Sequence, residues 1–284
     1  MKLFIAGGCG FIGTNLIQYL LNHTDHTMVV YDDFSVGQWD FSAPYDKSRV
    51  TVTRGDICKQ AHLQHWIQGC DVVINLAAQC GVQQSMTQPV QDVQVNVMGL
   101  VNLLHQAYLH KIPRVIHSSS FAVLTNRNVY GTSKLAGEYY CQLYSKLYHI
   151  DTVVLRYSNV YGPHSDHKTS VIAKWLRTYN DNKPLQIYGD GSQVRDFVYV
   201  GDVVETITHA VSAPLPTHHL VLPVCTGVGT SVKTVAEQIS SNVEYTDMLP
   251  IGDGDSEIVD PLITREILNV GLDTTISEGL NKMV

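Results

Sequence analysis

Charge is scarce in this chain. Only 16% of its 284 residues are Asp, Glu, Lys or Arg, and 26 acidic residues outnumber 19 basic ones, for a formal net charge of -7. No basic stripe is available to neutralise a run of phosphates, which argues against nucleic acid as a partner. A small anion needs only a few local donors and is not excluded. The six cysteines (Cys9, Cys58, Cys70, Cys80, Cys141 and Cys225) form no CxxC pair. The usual zinc signature is therefore missing, and the scatter reads as free thiols in a reducing compartment. The 13 histidines do not recur at metal-ligand spacing, so no metal is expected. No apolar run is long enough to span a membrane. Residues 1–13 are briefly apolar and then stop at glycines, without the long apolar core and cleavage site of a secretory leader. These absences predict a soluble cytoplasmic protein with no membrane partner.

What is present forms a core. Hydrophobic residues make up 44% of the chain, and no repeat or low-complexity segment interrupts it. Short β-rich runs alternate with segments of helical period. Strands are predicted over 2–6 (KLFIA), 28–31 (MVVY), 50–52, 71–76 (DVVINL), 114–117 and 152–156 (TVVLR). Helices are predicted over 11–21, 89–110 and 130–149. In the second, Val90, Val93, Val97, Leu100, Val101 and Leu104 repeat with the period of one helical face. This alternation predicts an α/β fold on a doubly wound parallel sheet. After Pro163 the pattern loosens. Helices are predicted over 171–179 and 231–240, and short strands over 184–188 and 197–200. The proline-bearing stretch 214–223 reads as a connection, and 252–255 as a loop. The boundary falls near Gly162. It gives a first domain of residues 1–162 and a smaller second one of 163–284, with segments near 195–212 returning to the first.

The first strand runs directly into Gly7-Gly8-Cys9-Gly10-Phe11-Ile12-Gly13, and a helix follows. Gly7, Gly10 and Gly13 sit three apart. Side chains there would block a tight turn, the approach of a pyrophosphate, or helix-to-strand packing. The helix N-terminus then offers free N–H groups to phosphate. Asp32 ends the second strand about 20 residues on, where a carboxylate binds ribose hydroxyls. A carboxylate there repels a 2′-phosphate, so the expected cofactor of this Rossmann unit is NAD rather than NADP. The plain alternative for Asp32 is a turn residue after a strand.

Tyr130 and Lys134 lie four apart and share one face of a helix. A phenol is a weak base at neutral pH, with an ordinary pKa of ~10. A neighbouring ammonium favours the phenolate, as does a positive nicotinamide. Such a tyrosine can take a proton from an alcohol while hydride leaves the carbon. The strand ending Ser118-Ser119-Ser120 just before it sharpens an otherwise common spacing.

With these motifs in place, the chain resembles the extended short-chain dehydrogenase/reductase family of nucleotide-sugar epimerases and dehydratases. The resemblance spans nearly the whole chain. It also includes Gly55-Asp56-Ile57, Asn75-Leu76-Ala77-Ala78, Asn96, the run from Arg156 to Pro163 (RYSNVYGP) and the run from Tyr188 to Phe197 (YGDGSQVRDF). It implies a Rossmann domain followed by a smaller substrate-binding α/β domain. It implies that Asp56 and Ile57 contact adenine, and that Phe11, Ile12, Asp33, Leu76, Ala77, Ala78 and Asn96 lie at the cofactor. Ser120 would hydrogen-bond the reacting hydroxyl. Asn159 and Arg195 would hold the diphosphate of a nucleotide-sugar substrate, a role that suits a guanidinium. Arg195 paired with Asp196, and Asn159 as a turn residue, are the plainer alternatives.

The resemblance also bears on the reaction. Family dehydratases carry an acid just after the catalytic hydroxyl residue, whereas here Phe121, Ala122 and Val123 follow. The pattern is closest to the UDP-sugar 4-epimerases, which invert C4 through a transient 4-keto sugar. A dehydratase or ketoreductase is the second reading, and a non-catalytic NAD-binding regulator the third. The chain departs from the family at several places. Ser120 and Tyr130 are only ten positions apart, which predicts a more open mouth. Gln83 stands where many relatives have an arginine, against a uronic acid. The stretch 248–253 lacks the arginine relatives use as a second diphosphate clamp, so the diphosphate is held differently or more weakly. Cys80 reads as a spectator thiol, and Glu257, His164 and His167 as solvated loop residues, as do His218 and His219 in the proline-rich connection. Tyr139, Tyr140, Tyr144 and Tyr148 read as core and dimer packing. The family pairs the helices that correspond to 89–110 and 130–149 across a two-fold axis, which predicts a homodimer.

Overall fold

Alternation along single strands builds two cores at once. In β1 (Lys2–Ala6), Leu3 and Ile5 join the core on one side of the sheet, while Phe4 and Ala6 join the core on the other. A computed structural model describes residues 1–36, 46, 48–125, 128–247 and 257–283. The chain continues through α1 (Phe11–His23), β2 (Thr27–Asp32), β3 (Val50–Arg54), α2 (Gln60–Ile67), β4 (Val72–Asn75), α3 (Val82–Thr87) and α4 (Pro89–Val93). A π-helical turn, Gln94–Gly99, leads into α5 (Leu100–Leu109). Then come β5 (Arg114–Ser120), α6 (Ala122–Thr125), α7 (Val129–Tyr148), β6 (Asp151–Tyr157), β7 (Asn159–Tyr161) and α8 (Val171–Asn180). The last part holds β8 (Leu185–Tyr188), β9 (Val194–Tyr199), α9 (Val200–Ser212), β10 (His219–Val224), β11 (Gly229–Ser231), α10 (Val232–Ile239), β12 (Val243–Thr246), α11 (Leu262–Leu268) and α12 (Ile276–Asn281).

Seven parallel strands form the main sheet in the order β10-β6-β5-β4-β1-β2-β3. The order reverses between β1 and β4, and that is where an open α/β sheet leaves a crevice for a ligand. One core lies under α1 and α9. The other lies under α2, α5 and α7. A third, smaller core gathers Trp175, Leu185, Ile187, Phe197 and Val235 around α8, α10 and α12. It is served by two small sheets, β11-β9-β7 and β12-β8.

One sequence expectation is corrected and another refined. The stretch 214–223 is not wholly a connection, because its second half is β10, an edge strand paired in parallel with β6. Pro223 sits opposite Arg156 on the outermost strand, where a missing N–H breaks no ladder. His219 therefore lies on a strand, with its Nδ1 2.8 Å from the Thr152 hydroxyl. The helix over 89–110 is present without a gap, but it is not regular α throughout, since Gln94–Gly99 forms a π-helical turn within it. That turn carries Asn96, which is buried and drawn into a polar cluster. The loop over 252–255 and the stretch 248–253 lie outside the described residues. Among the described residues, no helix is long and apolar enough to cross a membrane.

Candidate active site

A cavity of about 400 Å³ opens at the C-terminal ends of the central strands. Phe11, Ile12, Leu76 and Ala78 line one part of it, at the glycine turn and after β4. The three glycines there do different work. Gly7 has a φ of +75°, and a Cβ on it would stand 2.5 Å from the Ala77 backbone nitrogen. A Cβ on Gly13 would stand 2.5 Å from the Gly8 backbone. A Cβ on Gly10 would meet nothing closer than the Gly7 carbonyl oxygen at 3.4 Å. The fold thus requires glycine at positions 7 and 13, and leaves open space over Gly10. Gly10 is the N-cap of α1, and no side chain caps that helix. Free N–H groups under open space form a cradle that fits a pyrophosphate.

Asp32 is buried at the end of β2. Its two carboxylate oxygens accept the backbone N–H groups of Cys9 at 2.9 Å and Phe34 at 2.8 Å. Burial raises its pKa, and those two bonds oppose the rise. Each oxygen keeps a lone pair for a ribose hydroxyl. Asp33 is exposed and accepts from Ser35. Asp56 closes a turn onto the Cys58 N–H, and Ile57 is buried against Gly99.

Two asparagines hold the segment 76–79 in place. The Asn75 side-chain oxygen accepts from the Ala77 N–H at 3.1 Å. Asn96 takes the Gln79 N–H at 2.9 Å and donates to the Gln79 carbonyl, Asp92 and Ser133. The buried Asn96 side chain thus braces the segment that carries Ala77 and Ala78.

Ser120, Tyr130 and Lys134 all face the cavity. Asn128 starts α7 by accepting the Gly131 N–H at 2.7 Å, which fixes where the Tyr130 turn begins. The Tyr130 N–H donates to the Ser85 hydroxyl at 3.1 Å. The Lys134 ammonium donates to the Ser118 carbonyl at 2.9 Å and lies 5.8 Å from the centre of the Tyr130 ring. Burial pushes the Tyr130 phenol well above its ordinary pKa. Cys80 adds to the rise, the hydrogen bond with Ser120 opposes it, and Asp92 adds again. Burial also lowers the pKa of Lys134. His117 stands behind the pair, fully buried, with a pKa held well below its ordinary value by burial and then by the charge on Lys134. Burial thus favours the acid form of Tyr130, and a positive charge brought into the cavity would favour the phenolate.

Arg195 and Asn159 reach the cavity from β9 and β7. Asn159 donates to the Asp196 carbonyl at 2.9 Å. Cys80 and Glu257 are exposed, yet both lie on the cavity wall. Gln83 does not. Sequence reasoning missed Lys168 and Ser170, which line the cavity just before α8. It also missed Glu138, which accepts Arg156 Nε at 2.9 Å, Arg156 Nη2 at 2.6 Å and the Ser119 hydroxyl at 2.5 Å. The signal was available, because Glu138 lies one helical turn beyond Lys134. Among the described residues, no group of three His, Cys, Asp or Glu side chains could hold a metal ion.

Comparison with known proteins fits this geometry. The sequence profile of the NAD dependent epimerase/dehydratase family matches residues 3–222. The chain is similar to the UDP-glucose 4-epimerase of Mycolicibacterium smegmatis, at 30% identity over 100% of this chain and 97% of that protein. Among solved structures, it is similar to the UDP-glucose 4-epimerase of Thermotoga maritima with UDP-glucose. That match has a TM-score of 0.91 and 25% identity, covering 100% of this chain and 97% of the other. The UDP-glucuronic acid 4-epimerase of Bacillus cereus, in complex with UDP-glucuronic acid and NAD, gives a TM-score of 0.89 at 27% identity. It covers 99% of this chain and 97% of the other.

Proposed function

The chain belongs to the NAD dependent epimerase/dehydratase family, and on that premise we propose that it is a nucleotide-sugar 4-epimerase. One observation carries the choice of reaction. The segment after Ser120 brings Phe121 and Ala122 to the cavity, and no carboxylate. Expelling water from a sugar needs an acid at the reacting face. Inverting a hydroxyl needs, besides a reversible hydride acceptor, only a tyrosine that can take and return one proton.

The residues divide the work as follows. The glycine turn, the N-terminus of α1 and Asp32 would hold the dinucleotide, with Ala77 and Ala78 lining its site and Asp56 and Ile57 contacting the adenine. Bound NAD supplies a reversible hydride acceptor and a positive charge beside Tyr130. Ser120 hydrogen-bonds the 4-hydroxyl of the sugar and aims it at the Tyr130 oxygen. Tyr130 takes the proton, and Lys134 stabilises the phenolate. Asn159 and Arg195 hold the nucleotide diphosphate while the 4-keto sugar turns over in the cavity. Tyr130 then returns the proton to the 4-oxygen, while the hydride that NAD would have held goes back to the opposite face of C4. Residues 1–162 act as the cofactor domain and 163–284 mainly as the substrate domain, with β10 and α9 serving the first core.

The same reading includes a homodimer and a cytoplasmic location. All six cysteines are free thiols, which suits a reducing compartment.

The test is purified protein with NAD and a panel of UDP-, GDP- and dTDP-sugars, followed by NMR of the ring protons. Interconversion of one pair of C4 epimers with no net NADH is expected. A 4-keto or unsaturated product would assign a dehydratase, and net consumption of NAD(P)H a ketoreductase. In Tyr130→Phe, kcat should fall by about 10²–10⁴-fold while NAD still binds. Absence of turnover by wild type across the panel, despite tight NAD binding, would favour a regulator.

A further inference from the structure

Among the described residues, the charged side chains on the cavity wall are Lys134, Lys168, Arg195 and Glu257. Lys134 is buried beside Tyr130 and bonded to the Ser118 carbonyl. Lys168 is half-buried. Among the described residues, its ammonium makes no ion pair or hydrogen bond.

The backbone beneath that ammonium is held firmly. The Lys168 N–H donates to the Ser165 carbonyl at 2.8 Å, and the Ser165 hydroxyl donates to the Gly162 carbonyl at 2.7 Å. Arg177, from the second turn of α8, donates to the carbonyls of both Asp166 and Lys168. Asn15 of α1 donates to the Pro163 carbonyl at 2.9 Å, which ties the loop to the cofactor side. A lysine on a loose loop costs side-chain entropy to use, whereas here the loop is already ordered. Immediately after it, Ser170, Val171 and Ile172 bring the start of α8 to the cavity, and no side chain caps that helix. Its positive end points to the same charge sign as Lys168.

The protein as a whole carries a net charge of -7, so a cationic stretch of wall stands against the general trend. We propose that Lys168 is a substrate-binding residue that, with Arg195, neutralises the diphosphate of the nucleotide sugar. It takes the part that the sequence leaves empty by lacking a second arginine over 248–253. This rests on the nucleotide-sugar reading above and adds a residue to it. A lysine is a compact charge that can follow a moving diphosphate, whereas an arginine fork fixes one geometry. A site that must let a 4-keto sugar turn over gains from the first kind of contact.

The test is calorimetric titration of UDP into the NAD-loaded full chain, for wild type, Lys168→Gln and Lys168→Arg, at low and high salt. Lys168→Gln keeps length and removes charge. It is expected to weaken UDP by about tenfold, the worth of one charge-assisted contact. Lys168→Arg should recover most of that loss, and added salt should weaken wild type more than Lys168→Gln. Arg177→Ala, which loosens the loop without touching the cavity charge, should weaken UDP while keeping the wild-type salt dependence. Equal UDP affinity in wild type and Lys168→Gln would overturn the assignment to Lys168 and leave the nucleotide-sugar reading standing. If wild type binds neither UDP nor dTDP nor GDP, the nucleotide-sugar reading itself fails, and this assignment with it.

Discussion

At the scale of single residues, the glycine turn separates what the fold needs from what the ligand needs. Gly13→Ala would drive a methyl into the Gly8 backbone, which cannot yield cheaply. It should cost about 1–3 kcal/mol of stability, read by urea unfolding of the apo protein. Gly10→Ala meets no such wall. It should unfold like wild type and yet bind NAD at least tenfold more weakly, because the methyl occupies the pyrophosphate's space. Equal loss of stability in both would refute the division. Lys134 gives a prediction of opposite sign. Its pKa is lowered by burial, so wherever pH lies below the folded value the folded chain carries the full cost of a buried charge. Stability from this group rises with pH only between those two values. Lys134→Met loses one bond to Ser118, about 1 kcal/mol net, and removes a larger desolvation cost. Its melting temperature at neutral pH should exceed that of wild type, with the gap closing toward pH ~10 and turnover abolished.

At the scale of elements, Glu138 joins three pieces of the site. It lies on α7, its carboxylate holds Arg156 on β6, and it also takes the hydroxyl of Ser119 on β5. Glu138 is 5% exposed and Arg156 26%. Removing one partner strands the other. Arg156→Met should therefore destabilise the protein by about 3–5 kcal/mol in a urea titration, whereas Glu138→Gln with Arg156→Met together should recover much of it. No recovery in the double variant would mean that the pair acts independently. The elements that carry Tyr130, Lys134 and the glycine turn were legible because their signals are local. A strand with four apolar residues in a row, a helix with a four-residue spacing and a glycine triplet each announce themselves within one window. β10 was not legible, because Pro214, Pro216 and Pro223 read as loop, and only the edge position in the assembled sheet makes Pro223 harmless. Lys168 and Glu257 were not legible as cavity residues for a related reason. They sit in loops without a period, and only the packing of α8 on the third core and of α11 on the first brings those loops to the cavity.

At the scale of the whole molecule, one face remains unexplained by a single chain. Helix α7 turns Tyr139, Leu143 and Leu147 outward at 63%, 45% and 54% exposure. Val90 and Val93 on α4, and Tyr108 and Leu109 on α5, are also exposed, and Tyr108 lies against Tyr148 with ring centroids 4.3 Å apart. Polar residues would serve a helix face that ends in water. Clustered leucines and tyrosines suit burial against another surface, and α7 beside α4 and α5 presents two adjoining helical faces, which a two-fold axis can double into four. Each leucine removed from water contributes about 1.5–3 kcal/mol, so two leucines per chain, used twice, would carry much of an association across that face. Leu143→Glu with Leu147→Glu places like charges across such an axis. The wild type should elute with the mass of a dimer in light scattering at micromolar concentration, and the double variant with that of a monomer whose circular dichroism is unchanged. The cavity lies on the opposite side of α7, where Tyr130 and Lys134 point inward. A monomeric variant that still binds NAD would show that the face serves association and not the site. A wild type that is already monomeric would leave the leucines without a partner and remove the dimer from the reading.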